Sequence, residues 1–540
     1  MAEAFTPEEQ ALLRPFVTNF DKDVFCLTNL PEVVKGALFS RYSRSEKSLR
    51  RVLLDEFILK PEMGFKEIVA VGEAAGAEQH IAIRKAEEFY DRVLVGFGDD
   101  SVAELGGAHV ACENVSILAS KLLEDARIGV SPLEKSTRYV WFHHKENGRY
   151  KYYRDPELMQ GPHARLYEAT CDLLFDTYAR LIEPVSAFVE EKFPKEEGTS
   201  ERAYAAAVRA KACDLLRGLL PAGTLTNVGL FGNGRAFEYL LVKLYASPLA
   251  EARVLASNIH GELEKVIPSF VKRADNPQGK EMQAYIGETN KAMEGIAGKI
   301  AAEARGDRSV ELVDFDADAE EKVVAAMLYP HANASLSALR ERVRGMRPEE
   351  RAAIVRAYTA HRKNRRHKPG RAFENAYYTF DLLGNFGMYR DLHRHRMLTQ
   401  ERQLLGCAHG YDVPEALGEA GLEKGYRDAM ERAREAWEAI AADAPVQAQY
   451  VVPLAYRIRW YVRLNLRELY HLVELRTSVQ GHEDYRRMAL GMLAEVEEVH
   501  PGLVAGMVFV DRREYGLERL DAEKRLEKRE EELRKKYGSA

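Results

Sequence analysis

Within the seven residues Arg390–Arg396 the chain places three arginines and two histidines, in the order RDLHRHR. The chain as a whole is acidic, with a formal net charge of -6, so this knot of cations is a local choice. Arginine presents a planar fork that grips phosphate or polarises a carbonyl oxygen. A histidine held between arginines has a lowered tendency to protonate and serves as a neutral stacking or hydrogen-bonding ring. The set suits phosphates and a redox-active ring. The plainer alternative is a basic helix face paired with neighbouring carboxylates.

A second group lies in NLRELYHLVELR, Asn465 to Arg476. At helical pitch Asn465, Leu469, Leu472 and Arg476 share one side, and Arg467 and His471 stand one turn apart on the adjoining stripe. Polar groups set among leucines need partners: a ligand, or local backbone and carboxylates. A third group is SPLEKSTRY, Ser131 to Tyr139. In extended chain Ser136 and Arg138 project to the same side and offer a hydroxyl and a guanidinium to a phosphate or a uracil-like ring. A bend around Ser131 and Pro132 is the alternative.

Other chemistries find little support. GFGDD (Gly96–Asp100) lacks the Gly-Lys-Ser/Thr of a phosphate loop. The absence of HExxH or of paired His/Asp sets leads us to expect no metal, and no GxSxG points to a serine hydrolase. The five cysteines are scattered without a CxxC pair, which argues for a reducing, cytoplasmic setting. No apolar run approaches a membrane span, and MAEAFTPEEQALL lacks the layout of a signal peptide. Net acidity makes a dedicated nucleic-acid binder unlikely as a class, although HRKNRRHK (His361–Lys368) and RYSRSEKSLRR (Arg41–Arg51) are basic enough to attract RNA.

The elements that must position these groups are mostly helices. The chain of 540 residues, 46% apolar, has room for two or more domains. Thr6, Pro7 and Glu9 form a helix-start signal. PEVVKGALFSRYSRSEKSLRRVLLDEFI reads as a basic amphipathic helix, and Arg519–Ala540 as a charged helix rich in i,i+4 pairs, either solvated or facing a partner. The clearest strand signal is STRYVWFHHKENGRYKYYRDP, two aromatic runs flanking a KENG turn. SVELVDFDADAEEKVVAAM reads as a strand entering a helix.

The segment AAEARGDRS (Ala301–Ser309) separates two series of similar style. Helical segments precede SVAE (Ser101–Glu104) in one and RAFE (Arg371–Glu374) in the other. Each series then carries a proline twelve positions before an Asn-x-Arg: Pro221 before Asn233, and Pro453 before Asn465. The repeated interval points to a duplication.

Taken together these residues resemble the flavin-dependent thymidylate synthases, whose signature reads RHRxxSxNExSxRY and whose later helix reads N-A-R-x-x-x-H/N-x-x-x-x-R. The signature is split here. The second series holds RHR (Arg394–Arg396) but continues MLTQERQLLGC, with Thr399 for the first serine and Leu404, Gly406 and Cys407 for the later serine, arginine and tyrosine. The first has DAR (Asp125–Arg127) in place of RHR, then SPLEKSTRY with Leu133 for asparagine. The helix motif is complete in the second series as Asn465, Arg467, His471 and Arg476; the first keeps Asn233 and Arg235, with Tyr239 and Leu244 at the other places. The upstream GHxSxxEH histidines are replaced in both, by GDDSVAEL (Gly98–Leu105) and by Glu374-Asn375.

The resemblance implies an α+β fold of two tandem copies, each a twisted antiparallel sheet packed with long helices and mostly helical overall: residues 1–305, 306–515, and an appended helix, 516–540. It implies that copy one keeps the dUMP-binding set, Glu134, Ser136, Arg138 and Arg217, the last matching a phosphate contact whose counterpart is Gln449. Copy two keeps the FAD-binding set, Arg394, His395, Arg396, Asn465, Arg467 and His471, and Arg476 lies near the reacting base. Ser136, Arg138 and Arg476 are the catalytic candidates. NADPH and methylenetetrahydrofolate are the implied co-substrates and dTMP the product. The family assembles as a tetramer, so a fused pair is expected to form a homodimer that mimics it. The alternatives are a catalytically degenerate flavin- or nucleotide-binding scaffold and, less favoured, an RNA-associated helical protein.

Overall fold

The computed structural model describes residues 4–43, 45–60, 103–300 and 306–538. The GFGDD stretch, most of GDDSVAEL and residues 301–305 of the separating segment lie outside the described residues.

Strand β1 (Gly107–Ser116) runs into helix α1 (Ile117–Glu124) and strand β2 (Val130–Glu134). Two long helices follow, α2 (Ala164–Lys192) and α3 (Glu201–Leu216), before β3 (Leu225–Asn233) enters α4 (Gly234–Tyr245). After β4 (Val310–Phe315) the order recurs. Strand β5 (Tyr377–Asn385) leads into α5 (Phe386–Leu392) and β6 (Leu398–Arg402). Helix α6 (Glu423–Ala441) precedes β7 (Arg457–Asn465), which enters α7 (Leu466–Arg476); α8 (Glu483–Val499) and α9 (Leu520–Tyr537) complete the chain. The fold is α+β, mostly helical, with two antiparallel sheets ordered β1-β3-β2 and β4-β5-β7-β6. The chain divides into two compact units. One gathers residues 1–115, 122–134 and 227–302, and the other 116–121, 135–226 and 303–540.

Alternation builds both central strands. Along β7, Ile458, Trp460, Val462 and Leu464 are buried while Arg457, Arg459, Tyr461 and Arg463 face outward; along β3, Thr226, Val228 and Leu230 are buried between exposed Asn227, Gly229 and Phe231. Each strand ends on an asparagine that caps the next helix. The Asn233 side chain accepts from the Ala236 N–H at 2.8 Å and Asn465 from the Glu468 N–H at 2.9 Å. The repeated asparagine is therefore, at the least, a helix start.

The repeated proline also has a structural cause. Pro221 and Pro453 face each other in an antiparallel bridge, and the bonds around them are reciprocal. Ala222 N–H donates to the Val452 carbonyl at 2.8 Å and Leu454 N–H to that of Leu220 at 2.9 Å. Gly223 N–H reaches Tyr450 at 2.8 Å and Ala455 N–H reaches Gly218 at 3.0 Å. Equivalent bonds then seat the helices after β1 and β5: Ile117 and Leu118 donate to Thr224 and Ala222, Phe386 and Gly387 to Tyr456 and Leu454. A Cβ on Gly218 would lie 2.2 Å from the Tyr426 hydroxyl, so the crossing excludes any larger residue there without a shift of that ring.

In the second compact unit α2 packs against α3 and α6. Its buried stripe, Tyr167, Cys171, Leu174, Tyr178, Leu181, Val185 and Val189, follows three- and four-residue steps, and each such large apolar side chain contributes roughly 1.5–3 kcal/mol on burial. The charged helix α9 lies on α3: Arg202 pairs with Glu530 at 2.6 Å, Lys524 reaches Glu196 at 2.9 Å, and Ser200 donates to Glu527 at 2.6 Å. It is docked within the chain rather than solvated all round.

Several local expectations hold: the Thr6–Glu9 capping box starts the helix Pro7–Leu13, and Val310–Phe315 leads to the helix Ala319–Leu328. The amphipathic stretch after Pro31 breaks, since its first helix ends at Tyr42 and the next begins at Leu49, with serines at 43, 45 and 48 between them. The predicted hairpin reduces to its turn. Asn147 and Gly148 adopt φ of 49° and 77° and the flanking Glu146 and Arg149 bridge, but Tyr139–Phe142 form no strand. The extended reading of Ser136 and Arg138 also fails. β2 ends at Glu134, and the Ser136 hydroxyl accepts the Arg138 N–H at 3.2 Å in a turn.

The basic run at His361–Lys368 turns one arginine inward. Arg362 grips Glu474 in a bidentate pair, one arm at 2.9 Å, with side chains 6% and 1% exposed. Burial pushes the Glu474 carboxyl up even so. Arg362→Ala is expected to destabilise the chain by about 3–5 kcal/mol, because it strands a buried carboxylate, while Arg366→Ala at an exposed neighbour shifts stability by less than about 0.5 kcal/mol. Denaturant unfolding of the two variants checks the contrast.

Candidate functional site

The turn after α5 carries the Arg-His-Arg knot, and its three members part company. Arg394 is exposed, Arg396 half-buried and His395 buried. The His395 ring lies against the first turn of α7. Its Nδ1 is 2.7 Å from Glu468 Oε1, and its Nε2 accepts from Arg476 Nε at 2.9 Å. An acceptor at Nε2 places the ring proton on Nδ1, donated to Glu468. Burial, helped by the Arg476 charge, lowers the His395 pKa to about 4 against the pull of Glu468. Burial alone would raise Glu468, but hydrogen bonds from His395 and His471 hold it at about 2. His471, half-buried one turn further along α7, approaches the same carboxylate at 3.2 Å. The ligand atoms of His395, Glu468 and His471 fall within 4.8 Å of one another. A cation at His395 Nδ1 would force the ring proton onto Nε2, where it would face the Arg476 N–H, so coordination through Nδ1 and the Arg476 hydrogen bond exclude each other.

Arg476 at the end of α7 lies over the Tyr485 ring, 5.5 Å from its centroid. Arg138 approaches the same ring at 5.7 Å, and its Nη1 donates to the Tyr485 hydroxyl at 2.9 Å. The rest of the Arg138 fork is spent on Asp214, at 2.6 and 2.5 Å, and on the Gln480 carbonyl. Arg217, 4% exposed, donates Nη1 to Asp391 at 3.1 Å, while its Nη2 has no hydrogen-bond partner. Asp391 is the hub. Burial would raise its carboxyl, yet Arg217, Arg138, Arg394 and Arg476 hold it well below the usual carboxylate range. Arg217 touches this carboxylate, and the other three guanidiniums act on it through space.

Beside this network lies a cavity of about 730 Å³ lined by Asp214, Arg217, Asn385, Met388, His482 and Asp484 among others. Asn385 donates to Asp412 and Asp484 at 2.8 and 2.7 Å. Burial and then the Arg217 charge lower the His482 pKa.

The expected residues therefore divide. Arg138, Arg217, Arg394, His395, His471 and Arg476 belong to one network. Asn465 supports it as the α7 cap, and Ser136 turns its hydroxyl to the Arg138 N–H. Arg467 points elsewhere, to the Pro369 carbonyl and Glu374. Glu134 is buried at the end of β2, in the other compact unit. Sequence reasoning passed over Asp214, Asp391, Glu468 and Tyr485. A partial signal for the acids was present: Asp391 and Asp214 each lie three residues before a candidate arginine, Arg394 and Arg217, although the partners they take are Arg217 and Arg138.

A family model for thymidylate synthase complementing proteins matches the chain twice, at residues 58–269 and 311–502. A UPF0159 protein of Chlamydia pneumoniae is 48% identical over 97% of this chain and 98% of its own length, and one of Thermoplasma acidophilum is 34% identical over 91% and 98%. The chain belongs to the thymidylate synthase complementing protein family, as a long form that carries the family unit twice in tandem.

Proposed function

We propose that this chain is a flavin-dependent thymidylate synthase that reductively methylates dUMP to dTMP with methylenetetrahydrofolate and NADPH. Its two copies, residues 1–305 and 306–515, would pool their surviving side chains in one kind of site. The observation that supports this is the approach of Arg138, from the first copy, and Arg476, from the second, to one ring, Tyr485, at 5.7 and 5.5 Å, with Arg217 of the first copy on Asp391 of the second at 3.1 Å. The reading includes a cytoplasmic homodimer, with residues 516–540 as an appendage.

The residues present fit FAD in part. Exposed Arg394 and half-buried Arg396 are cations suited to a diphosphate, and His471 offers a ring edge. His395 does not fit as a hydrogen-bonding ligand, since both its ring nitrogens are engaged within the protein. When bound, the flavin supplies the hydride. The chain supplies position and charge. Arg476, desolvated and held over Tyr485, would stabilise the enolate oxygen that develops as the uracil C5 becomes nucleophilic. Glu468 fixes the His395 tautomer, and that tautomer presents Nε2 to Arg476 and so aims the guanidinium. Arg217 would take the nucleotide's phosphate through Nη2, with Ser136 on the nucleoside. Arg138 would act through Tyr485, because its own donors are committed. The saturation of Arg138 and His395 favours a second reading, a ligand-binding scaffold without turnover.

A yellow preparation and NADPH- and folate-dependent dTMP formation support the enzyme; bound flavin without dTMP leaves the scaffold. Arg476→Ala is expected to cut tritium release from 5-tritiated dUMP by roughly 100-fold or more, with the circular dichroism spectrum unchanged; release at the unmutated rate would remove Arg476 from the chemistry.

The neutral His395 has its own signature. Its folded pKa is lowered to about 4, so the unfolded chain binds more protons below the ordinary histidine value and stability falls with pH there. Between pH 6.5 and 5 the native protein should lose about 2 kcal/mol relative to His395→Gln. Unfolding curves for both that run parallel across this window would refute the buried neutral ring.

A further inference from the structure

We propose that Asp391 is a resident competitor for the anion subsite: its carboxylate occupies one arm of Arg217 and weakens the hold of the arginine cluster on phosphate. The inference rests on the reading of Arg217 as the phosphate contact.

Asp391 occupies an uncomfortable place. It lies in the last turn of α5, where the helix dipole disfavours negative charge. It is also buried, which penalises a carboxylate again. Only the surrounding cations hold it ionised. The nearest is Arg217 at 3.1 Å, and Arg138, Arg394 and Arg476 act on it through space. The guanidinium of Arg217 is thus half committed. Nη1 is given to Asp391, whereas Nη2 is buried, has no partner, and belongs to a side chain that also lines the 730 Å³ cavity.

A Cβ on Gly387, one turn before Asp391 on α5, would stand 3.5 and 3.6 Å from Arg217 Nε and Nη2. The guanidinium therefore rests directly against the start of α5, with Asp391 closing its other side. A phosphate monoester carries more charge and more acceptor oxygens than a carboxylate. It would meet Arg217 at Nη2 and be repelled by Asp391 across the same fork. Asp391 therefore preassembles the cluster when no ligand is present and sets a ceiling on its affinity for anions.

The test is binding of inorganic phosphate, and in parallel dUMP, to the full chain at fixed ionic strength, by calorimetry. Asp391→Asn keeps the shape and removes the charge. It is expected to bind inorganic phosphate at least tenfold more tightly than the unmutated chain, with the same proportional gain for dUMP. Equal or weaker phosphate binding by the variant, or a gain confined to dUMP, would overturn the proposal. Should Asp391→Asn not fold, the double variant Arg217→Met, Asp391→Leu removes both charges at similar volume. Loss of phosphate binding by at least tenfold then supports the subsite, and retained affinity overturns it. Neither flavin nor turnover enters the measurement, so a chain that gains phosphate affinity yet forms no dTMP would fail the methylation reading alone.

Discussion

A guanidinium removed from water has to be met by an anion or by neutral acceptors, and the choice between them organises the second compact unit. Arg138, Arg217 and Arg362 are withdrawn from solvent, and each is held by a carboxylate, Asp214, Asp391 or Glu474. Arg476 is met instead by a neutral histidine and a tyrosine ring. Of these four it is the one with no carboxylate in hydrogen-bond contact. Under the proposed function this leaves Arg476 free to answer charge developing on a substrate, and a protonated His395 beside it would oppose its own charge.

The division of labour between the copies follows from what each has lost. At the places of Ser136, Arg138 and Arg217 the second copy has Leu404, Gly406 and Gln449. Gln449 now accepts the Leu405 N–H and donates to the Val446 carbonyl, so it serves its own loop. At the places of Arg394, His395, His471 and Arg476 the first copy has Ala126, Arg127, Tyr239 and Leu244. Neither copy retains both sets of polar groups, and Arg217 of the first meets Asp391 of the second at 3.1 Å.

Much of this was legible in the sequence, because the signals were local. The Pro-to-Asn interval marks a crossing turn and a helix cap, both set by neighbouring backbone. The strand and helix at Ser309–Met327 declare themselves by period and acidic first-turn residues. What stayed hidden was long-range. Periodicity places Asn465 and Arg476 on one face but is silent on the Glu468 side chain meeting a histidine from another loop. The extended reading at Ser136–Arg138 failed because Arg138 is pulled by Asp214 and Tyr485, distant partners that outweigh the β preference of the aromatic run beyond it. The basic run at His361–Lys368 looked able to attract RNA because Glu474, the partner of Arg362, is invisible from within it.

The crossing at Pro221 and Pro453 has a consequence for how the polypeptide reaches its native state. The loop before β3 leaves the Ala222 and Gly223 N–H groups to be met by Val452 and Tyr450, near the far end of the second copy. As the chain emerges during synthesis, the earlier loop waits without those acceptors until the later one arrives. Closure over so long a span is slow, and the earlier copy would pass that interval incompletely satisfied. Fusing the copies in one polypeptide keeps the missing strand of contacts tethered at high effective concentration, where two separate chains would have to find each other by diffusion.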